Sequence, residues 1–352
     1  MDINIIVMVV YFVLMIAISY AFKKMGTGSA SHYFRGGGRM LWWMVGATAF
    51  MAQFSAWTFT GAAGQAYRYG FTAIGVFAGN VIGYIVGWWW FATRFRQLRV
   101  DTPTQAISQR FGPKNEQFLT WILIPQSILN AGVWLNSLAV FASAVFKYDL
   151  TLTLWITGLV VLLISLLSGS WGVVASDFVQ TLIVAIISVV CAAVALIKVG
   201  GPVKMVNDFP SGFFTGPDTG PHYILILIVC FAFFFVKQIQ SFNNLQDSYR
   251  YLNAKDSANA KKAALFALFL MLFGTLIWFI PPWATAILYP DMAQSHPELG
   301  KNATDAAYLV FAERAMPEGT VGLLMAGLFA ATMSSMDTAL NRNSGIFVRS
   351  FW

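Results

Sequence analysis

Trp42-Trp43-Met44-Val45-Gly46-Ala47-Thr48-Ala49-Phe50-Met51-Ala52-Gln53-Phe54-Ser55-Ala56-Trp57-Thr58-Phe59-Thr60-Gly61-Ala62-Ala63-Gly64 is long and apolar enough to cross a bilayer, yet its middle, Gln53 to Thr58, is polar and small. A helix that faces lipid has no use for Gln, Ser and Thr at mid-depth. Two readings account for them. In one, the helix breaks there and turns its carbonyls toward an ion, because unwound backbone survives at that depth only inside a protein-lined cavity. In the other, the helix is continuous and its polar side chains bond to neighbouring helices.

The rest of the chain sets the class. Apolar residues make up 58% of it and charged residues only 11%, against about 25% charged in a soluble domain. Mean hydropathy is +0.65. This is a polytopic all-α membrane protein. The net charge of +7 does not mark a nucleic-acid partner, because the bases sit in short loops beside apolar spans. Cys191 and Cys230 both lie inside apolar spans and imply neither a disulfide framework nor a metal site. His32, His222 and His296 are scattered in loops or at span ends, with no cluster for metal or catalysis.

Nine spans are expected. The first is Ile5–Phe22, kept as a span because it lacks a basic start and a cleavage site. The second is the segment 41–61, and the third, Phe71–Phe91, ends in the interfacial belt Trp88-Trp89-Trp90. A short amphipathic helix is expected to start at Asp101-Thr102-Pro103-Thr104. Spans follow at about 117–145, 150–168, 171–198, 222–246, 263–289 and 319–340, each near the length that a core roughly 30 Å thick requires. Gly36-Gly37-Gly38 follows no strand and reads as a linker, not a phosphate loop. Asn302-Ala303-Thr304 fits a glycosylation sequon and reads as chance.

Lys and Arg number fifteen in one set of loops and six in the alternate set, with Lys237 left inside a span. The richer set is therefore expected in the cytoplasm, with the N-terminus outside and the C-terminus inside. The expected location is the plasma (inner) membrane.

At this point four stretches carry a resemblance. Trp42 to Ala47 with Phe54-Ser55-Ala56 and Gly61 to Gly64 resembles the second span of the sodium–solute symporter family, which includes sodium–galactose, sodium–proline and sodium–pantothenate carriers. Trp171 to Gln180 (WGVVASDFVQ) resembles the start of that family's sixth span. Arg250 to Asp256 (RYLNAKD) resembles its inner-loop motif, and Ala330 to Thr338 (AATMSSMDT) its ion-binding helix. The order and spacing match along the whole chain. The resemblance implies a leucine-transporter-like fold of two inverted five-helix repeats after one extra helix. Here 5–22 would be the extra helix, 41–198 the first repeat and 222–350 a partial second repeat. The last two core helices would be missing, so a truncated product is expected. A natural nine-span protein is the alternative.

The resemblance also implies a sodium site at Met51, Phe54, Ala331, Ser334 and Ser335. Physically, sodium takes hard neutral oxygens, and on a helix 331 shares a face with 334 and 335. Against this stands simple packing, with the two serines bonding back to their own helix. Asp177 and Thr338 match a second ion site or the ion's exit path in some members, while Asp177 near a span start also fits a cap. Candidates for the solute are Gln53, Ser55, Trp57 and Thr58 on the second span, Phe77 and Asn80 on the third, and Lys237 and Gln240 on the seventh. A lysine within a span costs roughly 3 kcal/mol or more unless paired. It pairs with an anionic, carboxylate solute, with a protein carboxylate, or snorkels along its stem.

The expected function is sodium-coupled symport of a small polar solute by alternating access. Its partners are the solute, sodium and the lipid bilayer, with no other cofactor and no nucleic acid. A proton-coupled or uncoupled carrier and a transporter-like sensor module are the alternatives. No nucleophile–base pair or His/Cys/carboxylate constellation marks an enzyme.

Overall fold

The computed structural model describes residues 3–26, 35–210, 213, 223–244, 248–292 and 303–351. His32, His222, His296 and Asn302 lie outside the described residues. Helices account for the architecture, and among the described residues the only sheet-like contact is an isolated bridge between Met40 and Ala254.

Helix α1 (Ile3–Gly26) precedes the segment that decides the fold. That segment breaks. Helix α2 (Trp42–Met51) ends, a 3-10 turn follows at Ala56–Thr58, and α3 (Gly61–Tyr69) resumes. Helix α4 (Thr72–Val86) continues through a π-helical turn at Gly87–Phe91 into α5 (Ala92–Gln97). The short helix expected near Thr102 is α6 (Pro103–Phe111), with Pro103 in its first turn and the Thr102 hydroxyl accepting the Gln105 N–H at 3.3 Å. Helix α7 spans Pro113–Phe146.

The spans expected at 150–168 and 171–198 form one helix, α8 (Leu150–Val199). Its 50 residues run about 75 Å at 1.5 Å per residue. No proline interrupts it. Asp149 starts α8, its carboxylate accepting from the N–H groups of Thr151 and Leu152.

After α9 (Pro202–Asn207) come α10 (Tyr223–Asn243), a 3-10 turn at Ser248–Asn253, α11 (Ser257–Ile277) and α12 (Ile280–Leu288). The eighth span is thus divided at Trp278 and Phe279. Helix α13 (Ala307–Ala315) occupies the loop before the last element, α14 (Thr320–Phe351). Gly36–Gly38, expected as a linker, closes instead into a 3-10 turn with φ of 59°, 66° and 63°, values that a side chain would strain.

Six helices among the described residues are long and apolar enough to cross a membrane, so the chain is an integral membrane protein. Among the described residues the second expected span is broken between Met51 and Gly61, and the fifth and sixth run as one helix. Helix α14 is the most enclosed of the six. It packs along α8, α7 and α1, while α2 packs between α11 and α8, and α4 against α10. Every candidate ion ligand therefore faces protein.

Candidate functional site

The break is built from short hydrogen bonds that stop propagating the α pattern. The N–H groups of Gln53 and Phe54 both bond to the Phe50 carbonyl at 3.0 Å, and that of Thr58 bonds to Ser55 at 3.0 Å. Among the described residues, the carbonyls of Met51 and Phe54 accept no backbone hydrogen bond. Aromatic packing holds this geometry. The Phe54 ring meets Phe50 at 5.3 Å, Phe59 at 5.6 Å and Trp278 at 4.8 Å between centroids, and Phe54 is buried with Met51. The break is thus an ordered kink with two free carbonyls at its inner edge.

Opposite lies α14. Ala331, Ser334 and Ser335 are all buried. The Ser335 hydroxyl donates back to the Ala331 carbonyl at 3.4 Å, the packing behaviour expected of a helix serine. Ser334 behaves differently. Its hydroxyl faces the Asp177 carboxylate without reaching hydrogen-bond geometry, and its Oγ is buried with no hydrogen-bond partner. Both α2 and the 3-10 turn at Ala56–Thr58 pack on α14, and the Phe59 ring reaches Gly327 on that helix.

Asp177 on α8 is the charge of the site. It is wholly buried at 0% exposure, so it does not act as an exposed helix cap. The Thr48 hydroxyl on α2 donates to its Oδ2. Its Oδ1 has no hydrogen-bond partner, and the same holds for Thr338 Oγ1 one turn beyond Ser334. A buried carboxylate costs several kcal/mol per ion unless charge and hydrogen bonds offset it; here Thr48 bonds it, Ser334 faces it and Arg250 acts on it from a distance, while Oδ1 keeps no partner. Free hydroxyl and carboxylate oxygens on two packed helices are the donor set that a hard monovalent cation takes. No group of three His, Cys, Asp or Glu stands together among the described residues.

The solute candidates divide. Trp57 and Phe77 come together with rings nearly parallel, at 6° and 6.2 Å between centroids, and Phe77 also meets Trp278 and Phe279. Trp57 is 42% exposed while Phe77 is buried, so one face of the pair is open. Asn80 lies a turn from Phe77, buried, with an Oδ1 that accepts nothing. Gln53 and Ser55 on the break are half-buried and Thr58 is buried. Lys237 and Gln240 are not gathered with them. Both occupy exposed positions of α10, whose other face packs on α4, with Asn243 Nδ2 donating to the Gly83 carbonyl at 3.0 Å.

Sequence reasoning did not reach Thr48, which bonds Asp177 across 129 positions, nor Tyr11 and Gln180, which adjoin the same cluster. Polar residues inside apolar spans were the available signal.

The sodium:solute symporter family model matches residues 33–352. The chain is 24% identical over 381 residues to sodium/myo-inositol cotransporter 2 of Rattus norvegicus, covering 99% of this chain and 56% of that protein. It is 25% identical over 388 residues to sodium/glucose cotransporter 1 of Mus musculus, covering 98% and 57%. The chain thus spans little more than half the length of the curated relatives it matches. A solved structure, the substrate-bound outward-open state of a Na+-coupled sialic acid symporter, superposes with a TM-score of 0.83 at 23% identity, covering 100% of this chain and 74% of that one. The leucine-transporter-like fold is thereby shown.

Proposed function

Because the chain belongs to the sodium:solute symporter family, we propose that it works as a sodium-coupled symporter of a small polar solute, by alternating access. The relatives named above are transporters, not enzymes. The observation that carries the proposal is the buried Asp177 carboxylate, bonded by Thr48 and facing the unbonded hydroxyl of Ser334.

Sodium binds between the broken second span and α14, through the carbonyls of Met51, Phe54 and Ala331 and the hydroxyls of Ser334 and Ser335. Asp177 and Thr338 form a second ion site or the exit path. Sodium holds the outward-open form, the solute closes the site, and loss of sodium to the cytoplasm releases both. Each charge moved inward gains about 2.3 kcal/mol per 100 mV. The division into an extra helix (5–22), a first repeat (41–198) and a partial second repeat (222–350) belongs to this proposal, as does an outside N-terminus.

The solute rests on the open face of the Trp57–Phe77 pair, with Asn80, Gln53, Ser55 and Thr58 as polar contacts. Relatives named for myo-inositol and glucose, and a fold neighbour named for sialic acid, support a polyhydroxylated solute. The finer reading is an anionic, carboxylate-bearing one, which rests on a lysine, Lys237, within an apolar span of the sequence and not on contact with the aromatic pair.

The test is uptake by the chain reconstituted in liposomes, with radiolabelled myo-inositol, glucose and sialic acid under an inward sodium gradient and under potassium. Uptake of one of them with sodium only is expected. Equal uptake in both salts would overturn sodium coupling.

A further inference from the structure

Gln180 follows Asp177 by three residues on α8, so the two side chains share a face, and both are at 0% exposure. The amide is held from the first helix. Gln180 Nε2 donates to the Tyr11 hydroxyl at 3.2 Å and lies 3.6 Å from Met15 Sδ. The Tyr11 hydroxyl in turn donates to Met333 Sδ at 3.5 Å, one residue before Ser334.

Donor directions run one way along that chain. Gln180 Nε2 donates to the Tyr11 hydroxyl, and that hydroxyl donates to the Met333 thioether, so each bond has its own donor. With Nε2 turned to Tyr11, the amide carbonyl oxygen is directed elsewhere. That Oε1 is buried and accepts no hydrogen bond. Asp177 Oδ1, Ser334 Oγ and Thr338 Oγ1 share this condition. The Tyr11 hydroxyl bonds Gln180 on one side and Met333, the neighbour of Ser334, on the other, and Gln180 stands one turn from Asp177, so the amide lies between these residues. A buried polar atom left unbonded is costly and calls for a partner. An amide carbonyl is a neutral hard oxygen, the kind a sodium ion takes beside a carboxylate. The two thioethers are soft and do not compete for such an ion.

We infer that Gln180 Oε1 is a further ligand of the cation bound at Asp177, and that Tyr11, reaching in from α1, is the residue that orients it. The inference rests on the sodium reading above and adds to it a role for a helix outside both repeats.

The experiment is the thermal unfolding midpoint of the purified chain in detergent, titrated with sodium chloride against potassium chloride at constant ionic strength. Gln180→Leu removes the unbonded oxygen and keeps the volume. Its midpoint in potassium is expected to equal or exceed that of the wild type, and its half-saturating sodium to rise roughly fivefold or more, the effect of one ligand worth about 1 kcal/mol. Gln180→Asn withdraws the oxygen by one methylene and is expected to lose sodium affinity in the same direction. Tyr11→Phe keeps the ring and is expected to raise half-saturating sodium about twofold or more by freeing the amide. A wild-type sodium shift that Gln180→Leu and Gln180→Asn both leave unchanged would overturn the assignment and leave Gln180 as packing. Absence of any sodium shift in the wild type would overturn the sodium reading itself, and this assignment with it.

Discussion

The side-chain carbonyl of Asn4 accepts a 2.8 Å hydrogen bond from the backbone N–H of Gly322, so the first helix caps the last. Gly322 lies in the first turn of α14, where a helix leaves its N–H groups unbonded. A Cβ at Gly322 would stand 2.7 Å from Asn4 Cα and 2.8 Å from Asn4 O. Helix propensity alone predicts that Gly322→Ala stabilises by about 1 kcal/mol. The packing reverses that sign, and a lower unfolding midpoint in detergent is expected. Asn4→Ala removes the cap and is expected to cost about 1 kcal/mol. A raised midpoint for Gly322→Ala would mean that α1 does not sit against α14.

Thr48→Val keeps the shape of the side chain and removes the hydroxyl that serves Asp177. A hydrogen bond to a charged group is worth about 1.5–3 kcal/mol, so the midpoint in potassium is expected to fall. Sodium then replaces part of the lost stabilisation, and the rise in midpoint on adding sodium is expected to be larger than in the wild type. An equal fall in both salts would make Thr48 a packing residue.

The class was legible in local composition, and the family in the order and spacing of four motifs. Gln53 to Thr58 left two readings, a break or a continuous polar helix, because polar residues at mid-depth satisfy either; the structure has the break. The continuity of α8 was not legible, because Ser-Gly-Ser at 168–170 is a weak signal that neither ends nor extends a helix by itself. The site was half legible. Asp177 and Ser334 could be named, but the Thr48 donor and the Tyr11–Gln180 bond arise from helix packing that no local pattern encodes. A position within an apolar span fixes depth but not the face presented to neighbours, and Lys237 and Gln240 are both exposed.

Asp256 caps α11, its carboxylate accepting the Asn259 N–H at 2.7 Å and Asn259 Nδ2 at 2.9 Å. These bonds hold its carboxyl below the ordinary value. A carboxyl depressed by folding stabilises above its unfolded value, about 3.9, and loses that contribution as pH falls through the folded value. The stability gap between wild type and Asp256→Ala is therefore expected at pH 7 and should close as pH drops below about 4. Unfolding measured across that range decides it, and a gap that stays constant would mean the charge contributes nothing.

Lys237 and the Trp57–Phe77 pair make separable demands on the solute. An ammonium pairs with a carboxylate at about 1.5–3 kcal/mol and with a neutral polyol far less. Lys237→Gln is therefore expected to raise half-saturating sialic acid roughly tenfold and to leave myo-inositol within about twofold of the wild type. Trp57→Ala removes the ring stacked near Phe77, and aromatic contacts of about 0.5–1.5 kcal/mol predict that it weakens both solutes by roughly three- to tenfold. Competition for uptake in liposomes, read for both solutes in each variant, separates the two contributions. If Lys237→Gln changes neither solute, or changes both alike, Lys237 takes no part in recognising a carboxylate, and discrimination falls to the aromatic pair and the polar groups of the break.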